Sequence, residues 1–482
     1  MPRFIEGQDR HQVTLLSESL DEFVADDNAV RVVDAFVDEL DLHSLGFEGT
    51  KPSETGRPSY HPGVMLKIYI YGYLNRIQSS RRLERECNRN VELMWLTGRL
   101  SPDFKTIADF RRENGTGVRN VCRRFVDLCR ELKLFSQAIV AIDGSKFKAV
   151  NARDKNFTPN KVQKRQEQIE ESIKRYLDAL ETADRVQGSA EFSEKAEHLQ
   201  DKLKTMREQM QRMKRIEKKL KTEPEGQLSM TDRDARSMAT SGRGSGIVGY
   251  NVQTAVDAKH HLIVAHEVTN EGHDRSQLAP MAAAARDAIG TKKLLAIADR
   301  GYFNGLQIKE CADAGIDTIL PKPMTSNAKA ENRFDKSDFI YNARADEYKC
   351  PAGERVIYRF TREERGLQVR RYWSSACPSC PMKSQCTPSD YRRVSRWEHE
   401  AVVEAAQRRL DKRPDAMKVR RRTVEHVFGT LKHWMGSTHF LTRTFANVRT
   451  EMSLHVLAYN LKRVISILGI ARTMKAVHSM GA

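Results

Sequence analysis

The chain has no long hydrophobic run and no secretory leader pattern. No apolar stretch approaches the roughly 18 residues needed to span a bilayer. The opening MPRFIEGQDRHQ has no apolar core of the kind found in signal peptides. These two absences disfavour a membrane protein and a secreted protein, so the sequence predicts a cytoplasmic protein without a membrane partner.

Acidic residues are in the minority. The chain has 81 Lys and Arg against 64 Asp and Glu among 482 residues, a net charge of +17 and an isoelectric point near 9.5. Such an excess favours polyanionic partners, because Lys and Arg contacts to phosphates release bound counterions. Charge alone leaves DNA, RNA and an anionic membrane surface open.

Cysteine is sparse, and the eight cysteines fall into two groups. Four are scattered in apolar or helical surroundings, where a free buried thiol is the ordinary explanation. The other four lie within residues 350–386, where CPSCPMKSQC has the C-x2-C spacing of a zinc knuckle. Disulfides are disfavoured in a reducing cytoplasm, so a structural zinc and reduced, metal-free thiols both remain open. The candidate zinc ligands are Cys350, Cys377, Cys380 and Cys386.

Three carboxylates lie in separated but related contexts. AIVAIDGSKF carries Asp143, and LLAIADRGYF carries Asp299. Both apolar runs read as buried strands that end at the carboxylate, so we expect both side chains at one edge of a sheet. The third, Glu425, lies in helical sequence, RRRTVEHVFGTLK. Any one of them alone would be read as a turn residue or a solvated helix residue.

Together the carboxylates predict a site for divalent cations. Arg421, Glu425, Phe428 and Lys432 follow a 4-3-4 spacing, which places a carboxylate and two cationic side chains on one helix face. Clustered carboxylates resist ionisation unless cations neutralise them. Two hard cations about 3.5–4 Å apart suit in-line displacement at phosphorus.

The ordered set of Asp143, Asp299 and Glu425, with Arg421 and Lys432 beside the Glu, resembles the DDE transposases of bacterial insertion sequences. The resemblance extends well beyond these residues. Residues 4–114 resemble the helical leader domain of the family, and the other motifs are GYNVQTAVDAKHHLIVAHEVTNEGHD (249–274), ADRGYFNG (298–305) and VEHVFGTLKHWMG (424–436). The chain departs from the family at Lys418, where a tyrosine is common.

The resemblance implies an α/β fold with an RNase H-like mixed sheet as catalytic core. It implies metal-dependent cleavage at the ends of an insertion sequence, followed by strand transfer into target DNA. All three carboxylates would bind two Mg²⁺ or Mn²⁺ ions, and Arg421 and Lys432 would hold a DNA phosphate. The implied partners are double-stranded DNA, both terminal inverted repeats and target, and a second copy of the chain. The implied location is the nucleoid of a bacterial cell.

The sequence also predicts a domain layout. Residues 1–135 read as a helical DNA-binding domain, and residues 136–470 as the catalytic domain. Two insertions interrupt the latter: a coiled-coil hairpin over residues 158–224, with apolar positions alternating by three and four, and a Cys-containing module over residues 335–395. The basic patch at 75–90 suits either a helix presented to a DNA groove or a solvated bundle surface.

Two other functions remain open. A decayed or domesticated transposase would bind DNA without chemistry, and a metal-dependent nuclease would cut DNA without joining it. The presence of all three carboxylates and both neighbouring cations favours the transposase.

Overall fold

The computed structural model describes residues 19–52, 58–135, 138–150, 155–184, 190–223, 226–239, 246–323 and 330–480. The helices in these ranges are α1 (Ala29–Asp38), α2 (Pro62–Leu74), α3 (Ser80–Cys87), α4 (Val91–Thr97), α5 (Phe104–Glu113), α6 (Gly115–Glu131), α7 (Pro159–Asp184), α8 (Ala190–Leu220), α9 (Leu278–Ile289), α10 (Gly305–Asp313), α11 (Glu400–Lys412), α12 (Ala416–Gly429), α13 (Phe445–Leu468) and α14 (Ile470–His478). The strands are β1 (Ile139–Lys148), β2 (Asn156–Phe157), β3 (Leu228–Ser229), β4 (Arg236–Ala239), β5 (Gly246–Asp257), β6 (Ile263–Thr269), β7 (Leu294–Ile297), β8 (Ile316–Ile319), β9 (Ile340–Asn342), β10 (Glu347–Lys349), β11 (Arg355–Glu364), β12 (Leu367–Trp373) and β13 (Val394–Trp397).

Helices α1–α6 form the N-terminal unit. Helix α2 is apolar on nearly every side, and ten of its residues are buried, so it lies at the centre of this unit. Helix α5 begins at Phe104, and Asp103 caps it by accepting hydrogen bonds from the Lys105 and Thr106 amides. The unit is continuous with the rest of the molecule, since one hydrophobic core runs from α1 into the central sheet.

The central sheet is mixed. Its strand order is β6–β5–β1–β7–β8, and β4 pairs with the opposite end of β5 from β6. Strands β6, β5 and β1 pair antiparallel, whereas β1, β7 and β8 run parallel. The end of the parallel pairing between β1 and β7 therefore brings Asp143 and Asp299 to the same edge, as the sequence predicts. The expected mixed α/β architecture is confirmed at this level.

The expectation that β1 ends at Asp143 is wrong, since the strand continues to Lys148. Pairing with β7 covers only Ile139–Ala141, whereas antiparallel pairing with the longer β5 continues to Lys148. Asp143 therefore lies beyond the end of the pairing on one side of β1 and within the pairing on the other. This leaves its side chain at the edge formed with β7.

Helix α13 joins the N-terminal unit to the sheet, packing against α2, α6 and β6. Asn460 fixes the last contact, since its amide donates to the Ile263 carbonyl at 2.8 Å and its oxygen accepts from the Ile263 amide at 2.9 Å. No single helix in the described residues is long and apolar enough to cross a membrane. Helices α13 and α14 together have the length and composition of a membrane span, but the pair is bent by 114°.

Helices α7 and α8 pack antiparallel as a pair. Gln166 Nε2 donates to Glu217 at 2.9 Å, and the Lys202 ammonium lies 5.7 Å from the centre of the Tyr176 ring, so residue numbers rise on one helix as they fall on the other. A small separate core lies between them, and its buried members are Phe157, Val162, Ile169, Met213, Ile216 and Leu220.

Strands β9–β13 form a second, antiparallel sheet in the cysteine-bearing segment, in the order β13–β12–β11–β10–β9. Aromatic side chains fill the core of this sheet, because a module of this size has few other apolar residues. Its buried members are Phe339, Tyr348, Val356, Tyr372 and Val394.

Candidate active site

Asp143 and Asp299 lie side by side at the edge of the central sheet. Asp143 is on β1, and its side chain is 20% exposed. Asp299 follows β7, and its carboxylate accepts a hydrogen bond from the Gly301 amide at 2.7 Å, which fixes the turn after the strand. The two carboxylates therefore lie at one edge of the sheet, as the sequence predicts.

Arg420 on α12 bridges the two carboxylates. Its Nη2 lies 2.5 Å from Asp143 Oδ1 and 3.3 Å from Asp299 Oδ2, and its side chain is 14% exposed. Sequence spacing singles out the neighbouring Arg421 instead. The signal that could have identified Arg420 is its place in a run of three arginines, of which the helix turns only one toward the sheet.

Asp274 is a third carboxylate beside the pair, missed by the sequence reasoning although it ends the hairpin motif. Its Oδ1 accepts hydrogen bonds from the side-chain amides of Asn251 and Gln253, both at 2.7 Å, and lies 3.6 Å from the Lys146 ammonium. A Cβ at Gly144 would lie 2.6 Å from this Oδ1, so a larger residue beside Asp143 would displace the Asp274 side chain.

The carboxylates of Asp143, Asp299 and Asp274 lie close enough to affect one another's ionisation. Burial raises the pKa of Asp143 to about 6; the Arg420 guanidinium opposes this rise, whereas the Asp299 and Asp274 carboxylates add to it. One arginine therefore compensates the buried carboxylate only in part. A further cation would stabilise the ionised form.

Glu425 and Arg421 lie apart from this cluster. Their side chains are 70% and 74% exposed, and they face each other with Arg421 Nε 3.9 Å from Glu425 Oε1. Across the described residues, no group of three or more His, Cys, Asp or Glu side chains is arranged to hold a metal ion. The structure thus brings together Asp143 and Asp299 and leaves Glu425 facing solvent.

Lys432 does reach the sheet. Its ammonium donates to Ser145 Oγ at 2.6 Å and to the Lys146 carbonyl at 3.1 Å, and it lies 4.6 Å from the centre of the Phe147 ring. A π-helical turn over Thr430–Trp434 follows α12 and changes the helical register. For this reason Lys432 does not share one environment with Arg421 and Glu425, as regular helical spacing predicts.

The four cysteines of the second module line one small cavity, together with Phe339, Met382 and Arg392. All four are free thiols, and each is partly exposed. Burial raises the pKa of Cys386, and the three other thiols add to this effect, which places them all near it. Cys350, which stands alone in the sequence, therefore lies with the C-x2-C pair.

The match of the chain to known families is specific. Residues 218–461, slightly more than half of the chain, match the transposase DDE domain, and residues 18–113 match a transposase domain of the DUF772 type. The chain therefore belongs to the DDE transposases of insertion sequences. Asp143 lies before the matched DDE range, whereas Asp299 and Glu425 lie within it.

No curated protein matches the chain. Among solved structures, the piggyBac transposase synaptic complex with hairpin DNA aligns with 94% of this chain and 79% of its own. Its sequence identity is 8% and the TM-score is 0.30, a likeness too weak to carry an argument about site or mechanism.

Proposed function

We propose that this transposase cleaves DNA at the ends of an insertion sequence and joins the freed 3′ ends to target DNA, in a reaction that depends on divalent metal. The single observation that carries this proposal is the proximity of Asp143 and Asp299 on either side of a cationic group, where the parallel pairing of β1 with β7 ends.

The proposed fold of the catalytic core is RNase H-like. Three antiparallel strands (β6, β5, β1) continue into two parallel strands (β7, β8), and this order supports the proposal. The domain division proposed with it is a helical DNA-binding domain over 1–135, a catalytic domain over 136–470, and insertions over 158–224 and 335–395.

The residues of the site fit Mg²⁺ or Mn²⁺. Carboxylate oxygens are the ligands that these hard cations prefer, and the Asp143 and Asp299 oxygens already converge on one positive group. When bound, two such ions would activate the attacking oxygen and stabilise the leaving oxygen of an in-line displacement at phosphorus. Asp143, Asp299 and Glu425 would hold these ions. Asp274, held by two amides, would keep the strand around Gly144 in place.

Glu425 must turn from solvent toward the pair to take this role. Its exposed position has no apolar packing to lose, and its contact with Arg421 at 3.9 Å is a surface ion pair of small energy. Bound DNA would give Arg421 a phosphate in place of Glu425. Substrate binding and completion of the site would then occur together.

The DNA surface is proposed to follow the seam between α2 and the turn after α12. Trp434 is 67% exposed there, and the Arg76 guanidinium lies 5.9 Å from the centre of its ring. Gln78 Nε2 donates to the Met435 carbonyl at 2.8 Å and ties the two segments together. Arginine beside an exposed aromatic ring suits a nucleic-acid backbone and its bases.

The proposed partners are double-stranded DNA, as terminal inverted repeats and as target, and a second copy of the chain, because two element ends must be brought together. The proposed location is the bacterial nucleoid.

Lys432→Ala is expected to weaken DNA binding and to make the salt dependence shallower by about one unit in the slope of log K against log salt, if the ammonium transfers to a phosphate. The measurement is a binding titration with a terminal-repeat duplex at several salt concentrations. Lys292→Ala is the matched control, because Lys292 is exposed just before β7, at the opposite end of the strand from Asp299. An unchanged slope for Lys432→Ala would contradict the phosphate contact.

A structural zinc ion is proposed for the cavity lined by the four cysteines. Thiolates are the usual zinc ligands in a C-x2-C context, and an ion would draw the four sulfurs inward. We expect about one zinc per chain in protein purified without chelator, measured by elemental analysis. Cys380→Ser should lose the metal, whereas Cys311→Ser, which removes a buried thiol beside the central sheet, should retain it. Wild-type protein without zinc would leave reduced thiols as the answer.

The exposure of Glu425 favours a second candidate, a DNA-binding protein without chemistry. Strand-transfer assays with labelled terminal repeats separate the candidates. Joined products support the transposase, cut products alone support a nuclease, and intact bound DNA supports the binding protein.

A further inference from the structure

We propose that Arg420 is a positioning residue that competes with divalent cations for the Asp143–Asp299 pair. It would hold the two carboxylates together before the metal arrives and leave when the metal binds. The inference rests on the proposed function in taking this carboxylate pair as the metal site.

Arg420 lies at the position that a bridging ion would take. The same nitrogen of Arg420, Nη2, reaches Asp143 Oδ1 and Asp299 Oδ2. A cation bridging these oxygens must occupy the space that this nitrogen fills. Arginine and metal therefore exclude each other at this point, and only a shift of the α12 side chain admits the ion.

The charges around Arg420 also favour its exchange for a divalent ion. One guanidinium faces two carboxylates directly, and Asp274 adds a third negative group near them. On the positive side, the Lys146 ammonium faces Asp274 at 3.6 Å, and the Lys432 ammonium is bound to Ser145. A divalent ion places twice the charge of arginine at the centre of the pair, so exchange is favoured once the ion is abundant.

The Nε atom of Arg420 makes no polar contact among the described residues that would hold the side chain in place. This atom is buried and has no hydrogen-bond partner in the described part of the chain. Departure of the side chain would break the two carboxylate contacts of Nη2 and the packing that leaves this side chain 14% exposed, and it would return an unsatisfied donor to water.

Helix α12 carries both Arg420 and Glu425. At about 100° per residue, positions 420 and 425 lie about 140° apart around the helix axis. The orientation that directs Arg420 to the carboxylate pair thus directs Glu425 outward, as the 70% exposure of its side chain shows. Release of Arg420 removes the ion-pair contact of α12 with the carboxylate pair. The helix stays packed through Val424, Val427 and Phe428, so the approach of Glu425 to the ions requires a further shift of α12.

The test measures Mn²⁺ binding by the full chain without DNA, from the loss of the free-ion signal in electron paramagnetic resonance. Arg420→Gln should bind Mn²⁺ about tenfold more tightly, because it removes a positive charge from the ion's position. Arg422→Gln is the matched control: the same substitution two residues away, on an exposed side chain of the same helix, should leave the affinity within about twofold. Arg420→Lys keeps the charge and should stay near the wild-type affinity.

The outcomes separate this inference from the proposed function. If Mn²⁺ binding is lost in Asp143→Asn but Arg420→Gln binds no more tightly than wild type, the competition is refuted and the metal site stands. If Arg420→Gln binds more weakly, Arg420 supports the metal instead of opposing it, and the inference is overturned. If Asp143→Asn leaves Mn²⁺ binding unchanged in the wild-type protein and in Arg420→Gln, the carboxylate pair is not the metal site, and the proposed function fails as well.

Discussion

Asp143→Asn is expected to lower Mg²⁺-dependent cleavage of terminal-repeat DNA by about three orders of magnitude or more, because a metal held at this carboxylate supplies several kcal/mol of transition-state stabilisation. The amide keeps the shape of the side chain but loses the charge that attracts the ions. Folding should be preserved, since the substitution removes a carboxylate whose pKa burial has raised to about 6, so ionisation costs free energy in the folded state. The measurement is the single-turnover cleavage rate at saturating Mg²⁺.

Asp287→Asn is the control for this prediction. Asp287 is exposed on α9 and pairs with Arg286 at 2.8 Å, so its loss should leave the cleavage rate unchanged. Binding of Asp143→Asn to the terminal repeat should stay near the wild-type level, which separates chemistry from DNA recognition. Substantial residual cleavage by Asp143→Asn would remove this residue from the reaction.

Glu425→Gln is expected to have a comparable effect on cleavage and almost none on stability. A side chain that is 70% exposed contributes little to the folded state, so the unfolding temperature should stay within about a degree of wild type. A large loss of activity would then report a role that the side chain takes up only with metal and DNA. The measurements are the cleavage rate and thermal unfolding of the same preparation.

Glu131→Gln provides a matched comparison, because Glu131 also lies on a helix, is half exposed and pairs with an arginine, Arg124, at 2.9 Å. It should show neither effect. Cleavage by Glu425→Gln at the rate of Glu131→Gln would mean that Glu425 is a solvated helix residue, and the three-carboxylate site would have to be abandoned.

Sequence reasoning placed the elements well where periodicity is strong. The runs around Asp143 and Asp299 are strands that meet at one sheet edge, because parallel neighbours bring their carboxyl ends together. Apolar spacing of three and four likewise marks α7 and α8, whose shared core contains Ile169 and Met213. Local pattern suffices here because each element buries a regular stripe.

The same reasoning failed where tertiary pairing decides. The length of β1 depends on its partner β5, which no local pattern around Asp143 records. The choice between Arg420 and Arg421 depends on the rotation of α12, and the π-helical turn that redirects Lys432 has no sequence signal that spacing rules use. Asp274 was missed because its importance comes from Asn251 and Gln253, about twenty residues earlier on β5.

The family match covers Asp299 and Glu425 but not Asp143. The chain is a DDE transposase, and two of its three expected carboxylates already lie together. The position of Glu425 is the point at which sequence pattern and structure differ. The exchange proposed for Arg420 is one physical step by which the exposed Glu425 of this structure could become the third carboxylate that the sequence predicts.

The most direct test of the central claim is the anomalous scattering of Mn²⁺ in crystals of the full chain bound to a terminal-repeat DNA end. We expect two peaks about 3.5–4 Å apart. Asp143 should lie between them and Asp299 and Glu425 on either side, and the Arg420 side chain should have moved away from the pair. Absence of any peak at the Asp143–Asp299 pair, with DNA in place and Glu425 still facing solvent, would contradict it.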